Sequence, residues 1–170
     1  MSTPADWARA YARQADADLQ AWEYFEDHKE AVVTRCHPLL FIQMACEKAC
    51  KAYLIHAGTP PADVQTSHGF IAGPLPTMIE WQLRQVQKEK SKAEGMMRHV
   101  RHLAQEIEVL NPAIDRAGKR PENLEYPWED ATGVVHSPLD WTFSGLKFNN
   151  HTGAAFLKLL RGTIDRLLGK

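Results

Sequence analysis

The chain has 170 residues, of which 44 % are apolar, and carries a formal net charge of −1. That size and apolar content suit one domain over residues 1–170 with a full core, and they exclude a chain that coats nucleic acid or membrane through bulk charge. No apolar run reaches transmembrane length, Met1–Asp6 lacks the basic and apolar regions of a signal peptide, and Cys36, Cys46 and Cys50 have no disulfide-type spacing, so a cytoplasmic protein with free thiols and no membrane association is expected.

A first helix opens at Thr3, a good N-cap, with Pro4 at the first helical position and Asp6 in the first turn, where the helix dipole favours a carboxylate. Trp7, Tyr11, Ala15, Leu19 and Trp22 follow as one apolar stripe that ends near Phe25 or Glu26. A second helix is predicted from His37-Pro38 to about Ala57, stopped by Gly58 and Pro60-Pro61. Its apolar residues cover most of the circumference. Gln43, Glu47, Lys48 and Lys51 fall on a narrow strip, so neighbours should enclose the helix on all but one thin side. Cys46 and Cys50, one turn apart on it, read as buried thiols that pack as small hydrophobes.

Residues 58–76 read as a structured loop, rich in Gly and Pro. Thr77-Met78-Ile79-Glu80 has the form of a capping box, which places the start of a third helix there. Residues 87–95 are solvated and fit either an extension of that helix or a break, with Gly95 favouring the break. Helical spacing resumes from Met96 to Leu110 and stops at Asn111-Pro112. Residues 111–149 form a long loop whose aromatics, Tyr126, Trp128, Trp141 and Phe143, point to packing on the helices. A last helix is expected to begin between Asn150 and Gly153, with Phe156, Leu157, Leu160, Ile164, Leu167 and Leu168 on its apolar face. No stretch shows strand alternation and there are no repeats. The expected class is all-α: a bundle of four to five helices with a long structured loop before the last.

The run Gln43-Met44-Ala45-Cys46-Glu47-Lys48-Ala49-Cys50-Lys51-Ala52-Tyr53-Leu54, followed by Ala57-Gly58, Pro60-Pro61 and Ser67-His68, resembles the signature of HEPN domains. Ala15–Ala21 and Tyr126-Pro127 add a weaker likeness. The resemblance covers residues 5–70 well and 120–168 loosely, while the middle helix and long loop depart from it. It implies an up-and-down helical bundle, commonly a homodimer. It also implies one of two kinds of function: metal-independent endoribonuclease in toxin and antiviral systems, or non-catalytic binding of a nucleotide, RNA or a partner protein.

Nucleolytic members carry an Arg-x(4–6)-His motif at the start of the last helix, where His serves as general acid–base and Arg stabilises the charged phosphorane. No arginine of this chain has a histidine at that spacing. Arg98 and His102 share a helix face with one residue too few between them, and Lys147 and His151 stand at the right place but with the same short spacing and with Lys for Arg, which lacks the bidentate fork for phosphate. These four are the catalytic candidates of a degenerate nuclease. The simpler readings are a solvated basic edge for Arg98, His99, Arg101 and His102, and a helix cap for Asn150-His151.

Arg84, Lys88, Lys90, Lys92, Arg98 and Arg101 form a basic stretch that could meet RNA or DNA phosphates, although Glu89 and Glu94 interleave it as on an ordinary solvated face. Cys46 and Cys50 could meet His99 and His102 as a zinc site, but the two cysteines occupy positions that are small and apolar in the family pattern, so no metal is expected. No cofactor is expected either, since no Gly-rich phosphate loop is present. Ser67-His68 lacks a nucleophile–base set and reads as a loop hydrogen bond. Trp128 and Trp141 fit a stacking surface, a docking surface or core packing equally. The leading expectation is a non-catalytic HEPN-like module, homodimeric, that binds a partner protein, a nucleotide or RNA in a prokaryotic stress or antiviral system. A degenerate endoribonuclease and a structural subunit of a larger assembly are the alternatives.

Overall fold

A computed structural model describes residues 2–31, 34–87, 89–112, 122–148 and 150–170. Among them, five long helices form the molecule: α1 (Pro4–Asp27), α2 (Cys36–His56), α4 (Pro74–Val86), α5 (Lys90–Glu108) and α6 (His151–Leu167), with a short α3 (Pro61–Gln65) between the second and third of these. The all-α bundle is therefore as the sequence predicts. No helix among the described residues is long and apolar enough to cross a membrane.

Each boundary has a local cause. At α1, Thr3 Oγ1 accepts from the Asp6 amide at 3.2 Å and Asp6 Oδ2 accepts from the Thr3 amide at 2.7 Å, a reciprocal capping box over Pro4. At α6, Asn150 Oδ1 accepts from the Gly153 amide at 2.7 Å, the cap expected for Asn150-His151. α4 corrects the sequence reading. It begins at Pro74, so Thr77 lies inside the helix and caps nothing. Pro74 and Pro76 fall in the first turn, where a missing N–H leaves no helical bond unmade, and that pair starts the helix before Thr77 can. α4 ends at Val86 and α5 begins at Lys90, with Gly95 inside α5. The loop expected over 58–76 contains α3.

α1 and α2 pack antiparallel. Ala8 packs against Ile55 and Phe25 stacks on Phe41 at 5.7 Å between ring centroids. α6 returns antiparallel to α1, with Arg161 bound to Asp16 and, at 2.8 Å, to Glu23 Oε2. α4 packs on α2, α5 and α6. Leu19, Ile42, Ile71, Leu75, Met78, Ile79, Ile107, Phe156, Leu160 and Ile164 are all under 2 % exposed at the centre. Each such side chain stabilises the fold by about 1.5–3 kcal/mol.

Of the aromatics expected to pack the long loop on the helices, Trp128 and Phe143 do so, whereas Tyr126 and Trp141 are exposed. Leu124, Trp128, Phe143 and Leu146 are buried in the main cluster. A two-residue antiparallel hairpin within it pairs Trp128 with His136 and Glu129 with Val135, too short for its alternation to register in the sequence. Gly133, at φ 84, supplies the left-handed turn.

The thin polar strip of α2 is the second correction. Gln43 and Lys51 are 2 % and 4 % exposed, so that side is covered as well. Lys51 Nζ lies 2.9 Å from Glu47 Oε1, and Lys48 Nζ crosses to Asp18 Oδ2 on α1 at 2.7 Å. Glu47 on the same helix and Asp18 on α1 offset the charges of Lys51 and Lys48, whereas Gln43 Oε1 is buried with no hydrogen-bond partner among the described residues.

Candidate functional site

α4 and α5 form an antiparallel hairpin. Leu83 and Met97 turn inward and are buried, while Glu80, Arg84, Lys90, Glu94, Arg98 and Arg101 line an open groove of about 770 Å³ between the helices. The spacing of Lys90, Glu94, Arg98 and Arg101 places them on one face of α5. Arg84 Nη2 donates to Glu80 Oε1 at 2.6 Å. That bond, with the charges of Arg84 and Arg101, holds the Glu80 carboxyl below its ordinary value. Among the described residues, Lys90, Arg98 and Arg101 form no ion pair, so the groove presents unpaired cations over an apolar floor.

The basic stretch therefore divides. Arg84, Lys90, Arg98 and Arg101 share this groove. Lys92 points away from it, paired with Glu89 Oε2 at 2.5 Å, and lines a second groove between α4, α5 and α6. Lys88 lies outside the described residues.

The catalytic candidates divide too. Arg98 and His102 are both exposed on α5, and only Arg98 lines the basic groove. Lys147 is exposed in the loop before α6. His151, the first residue of α6, lines the second groove with His99 of α5, Lys92 and Lys158. The arginine of that groove, Arg161, is bound by Asp16 and Glu23. Neither histidine has a carboxylate partner among the described residues, which leaves both imidazoles without an orienting group.

Two other histidines do have such partners. His68 Nδ1 lies 3.1 Å from Glu47 Oε1, the loop hydrogen bond expected for Ser67-His68. Glu47 Oε2 also accepts from Asn111 Nδ2 at 3.1 Å, so one carboxylate ties α2, the loop after α3 and the end of α5 together. His136 Nε2 lies 2.7 Å from Asp130 Oδ2 across the hairpin turn. The hydrogen bond from His136, then those from Thr132 and Val134, hold the Asp130 carboxyl well below its usual range. Trp141 meets Trp128 and His136 edge-on at 5.4 Å and 4.9 Å. Sequence reasoning missed this cluster because its parts converge only once the hairpin turns.

Cys46 and Cys50 are fully buried, and burial pushes both thiols well up, so they act as packing groups rather than nucleophiles or ligands. No group of three or more His, Cys, Asp or Glu among the described residues is placed to hold a metal ion, and His99 and His102 lie exposed, away from the buried thiols. Chemically, the basic groove can hold a polyanion. No protein-family model, curated protein or solved structure matches this chain.

Proposed function

We propose that the chain is a non-catalytic, HEPN-like module that holds RNA along the groove between α4 and α5. The observation that carries this reading is the gathering of Arg84, Lys90, Arg98 and Arg101 around one groove with Leu83, Ala93 and Met97 at its floor. Four cations against Glu80 and Glu94 leave a positive surplus, and the apolar floor suits the faces of unpaired bases better than a rigid duplex. The meeting of Glu47, Lys51 and His68, all within the motif that resembles HEPN domains, supports the family reading. By analogy with that family, the module works as a cytoplasmic homodimer in a prokaryotic stress or antiviral system.

Fluorescence anisotropy with a labelled single-stranded RNA in EDTA tests it. Affinity should fall with salt at a log–log slope of about −2, the value for three phosphate contacts on a single strand. The triple variant K90E/R98E/R101E should lose binding, while K92E, on the other face, should retain it. Salt-independent retention, or equal retention by the triple variant, overturns the reading.

A second reading, metal-independent endoribonuclease, draws on His99 and His151 lining one groove with Lys92 and Lys158. Cleavage in EDTA that His151→Ala abolishes and His102→Ala spares would establish it at that groove; cleavage that His102→Ala abolishes would place it at Arg98 and His102 instead.

A further inference from the structure

On another face of α4, the last turns of α2 and α6 meet α1 and α4 around a pocket of about 380 Å³ that shares no lining residue with either groove. Tyr53, His56, Thr77, Trp81 and Arg166 supply its polar and aromatic wall, with Met78 among its apolar residues, and its lining contains no Asp or Glu. The Arg166 guanidinium lies over the Trp81 ring at 3.7 Å from the centroid. Among the described residues it forms no ion pair. Arg161, five residues earlier on the same helix, is bound by Asp16 and Glu23 instead. Burial holds the Arg166 guanidinium below its usual pKa, with Tyr53 partly offsetting the effect.

We propose that this pocket binds a small organic monocarboxylate with an aromatic or aliphatic body, its carboxylate on the edge of the Arg166 guanidinium and its body against Met78 and the neighbouring apolar wall. Stacking on Trp81 fixes the guanidinium plane and strips water from one face, which leaves the forked N–H edge as the unused donor set. A planar carboxylate matches that fork with two parallel hydrogen bonds. One permanent cation balances one negative charge, whereas a phosphate dianion would need further cations, as the basic groove provides. The Tyr53 and Thr77 hydroxyls add neutral donors beside the same acceptor. The volume is at the small end of ligand pockets and excludes a macromolecule.

Calorimetric titration of the full chain with 3-phenylpropionate tests this, with 3-phenylpropanol and phenyl phosphate in parallel. The carboxylate should bind with a Kd on the order of 0.1–1 mM, as suits so few atoms, and the neutral alcohol should not bind measurably. Arg166→Gln should weaken binding by about tenfold to a hundredfold, the scale of one charge-assisted pair. Arg166→Lys keeps the charge but loses the fork and should also weaken it, with the thermal midpoint and RNA retention unchanged. Equal binding by Arg166→Lys and the parent, absence of carboxylate binding, or tighter binding of phenyl phosphate would each overturn the proposal.

Discussion

Lys48 Nζ stands 2.7 Å from Asp18 Oδ2 between α1 and α2, with 20 % and 5 % of the two side chains exposed. Gln14 Nε2 donates to the other oxygen of Asp18 at 3.1 Å, so the carboxylate is held on both sides. The pair fixes the register of the two helices that share the most contact. Desolvation makes such a pair a modest net stabiliser, but losing one partner strands a charge in a dry interface. Asp18→Ala should therefore cost about 3 kcal/mol, the low end for a buried pair because Lys48 keeps some water. The double change D18L/K48M should cost less than the sum of the two single changes. Denaturant midpoints of the parent, Asp18→Ala, the two single variants D18L and K48M, and the double variant measure both.

Glu108 Oε1 accepts from the Ile71 amide at 2.9 Å and the Ala72 amide at 3.2 Å, pinning the chain just before α4. A carboxylate accepting two part-buried amides is worth about 2 kcal/mol in net terms. Glu108→Ala should lower stability by that amount and speed hydrogen exchange at Ile71 and Ala72 more than at the centre of α2. Uniform acceleration across the chain would mean that the carboxylate supports global stability only.

Asp16 couples α1 to α6. Burial pushes its carboxyl up, but hydrogen bonds from Lys170, Gln20 and Arg161 outweigh that and leave it below its ordinary value of 3.8. A carboxylate depressed in the folded state contributes stability that is complete above its unfolded pKa and is lost as pH falls through the folded value. The unfolding free energy should thus be insensitive to this group above about pH 5 and decline below about pH 4. Arg161→Met combined with Lys170→Met should flatten that part of the acid limb. An identical acid limb in the double variant would remove Asp16 as its source.

How much of this was legible in the sequence depends on whether the signal was local. Thr3-Pro4-x-Asp6 and Asn150 act within one turn of themselves, and both caps form as their residues dictate. The apolar circumference of α2 is a periodicity and survives any packing. Thr77-x-x-Glu80 is also local, yet two prolines upstream start the helix first. Sequence places Arg98 and Lys92 in one basic stretch because it counts charge along the chain, while helix geometry sends them to different grooves. The Trp81–Arg166 stack joins two helices whose approach is a tertiary fact that no spacing encodes, and the Asp130–His136 pair depends on a two-residue hairpin too short to show in the sequence.

Cys36, Cys46 and Cys50 are all buried, and burial raises the thiols of the last two. The folded protein should react negligibly with a thiol-specific disulfide reagent at pH 8, and three thiols should appear in denaturant. A thiol that titrates quickly under native conditions would show that α2 opens locally, without global unfolding.

Two helical glycines give opposite expectations. A Cβ added at Gly95, inside α5, would meet only Arg98 Nη2 at 3.9 Å, which is ordinary contact. Gly95→Ala should stabilise by about 0.5–1 kcal/mol through helix propensity and the reduced entropy of the unfolded chain. A Cβ at Gly153 would stand 2.3 Å from the Lys147 carbonyl oxygen and 2.5 Å from Phe148 Cα, backbone atoms that a rotamer change cannot move. Gly153 is also the residue whose amide Asn150 caps, so the loop and the helix start are built around its missing side chain. Gly153→Ala should destabilise by about 1–3 kcal/mol, the scale of overpacking, and should raise hydrogen exchange first at the start of α6. Thermal unfolding of the two variants beside the parent decides the matter. A neutral Gly153→Ala would mean that the loop over residues 147–148 shifts without cost and does not fix where α6 begins.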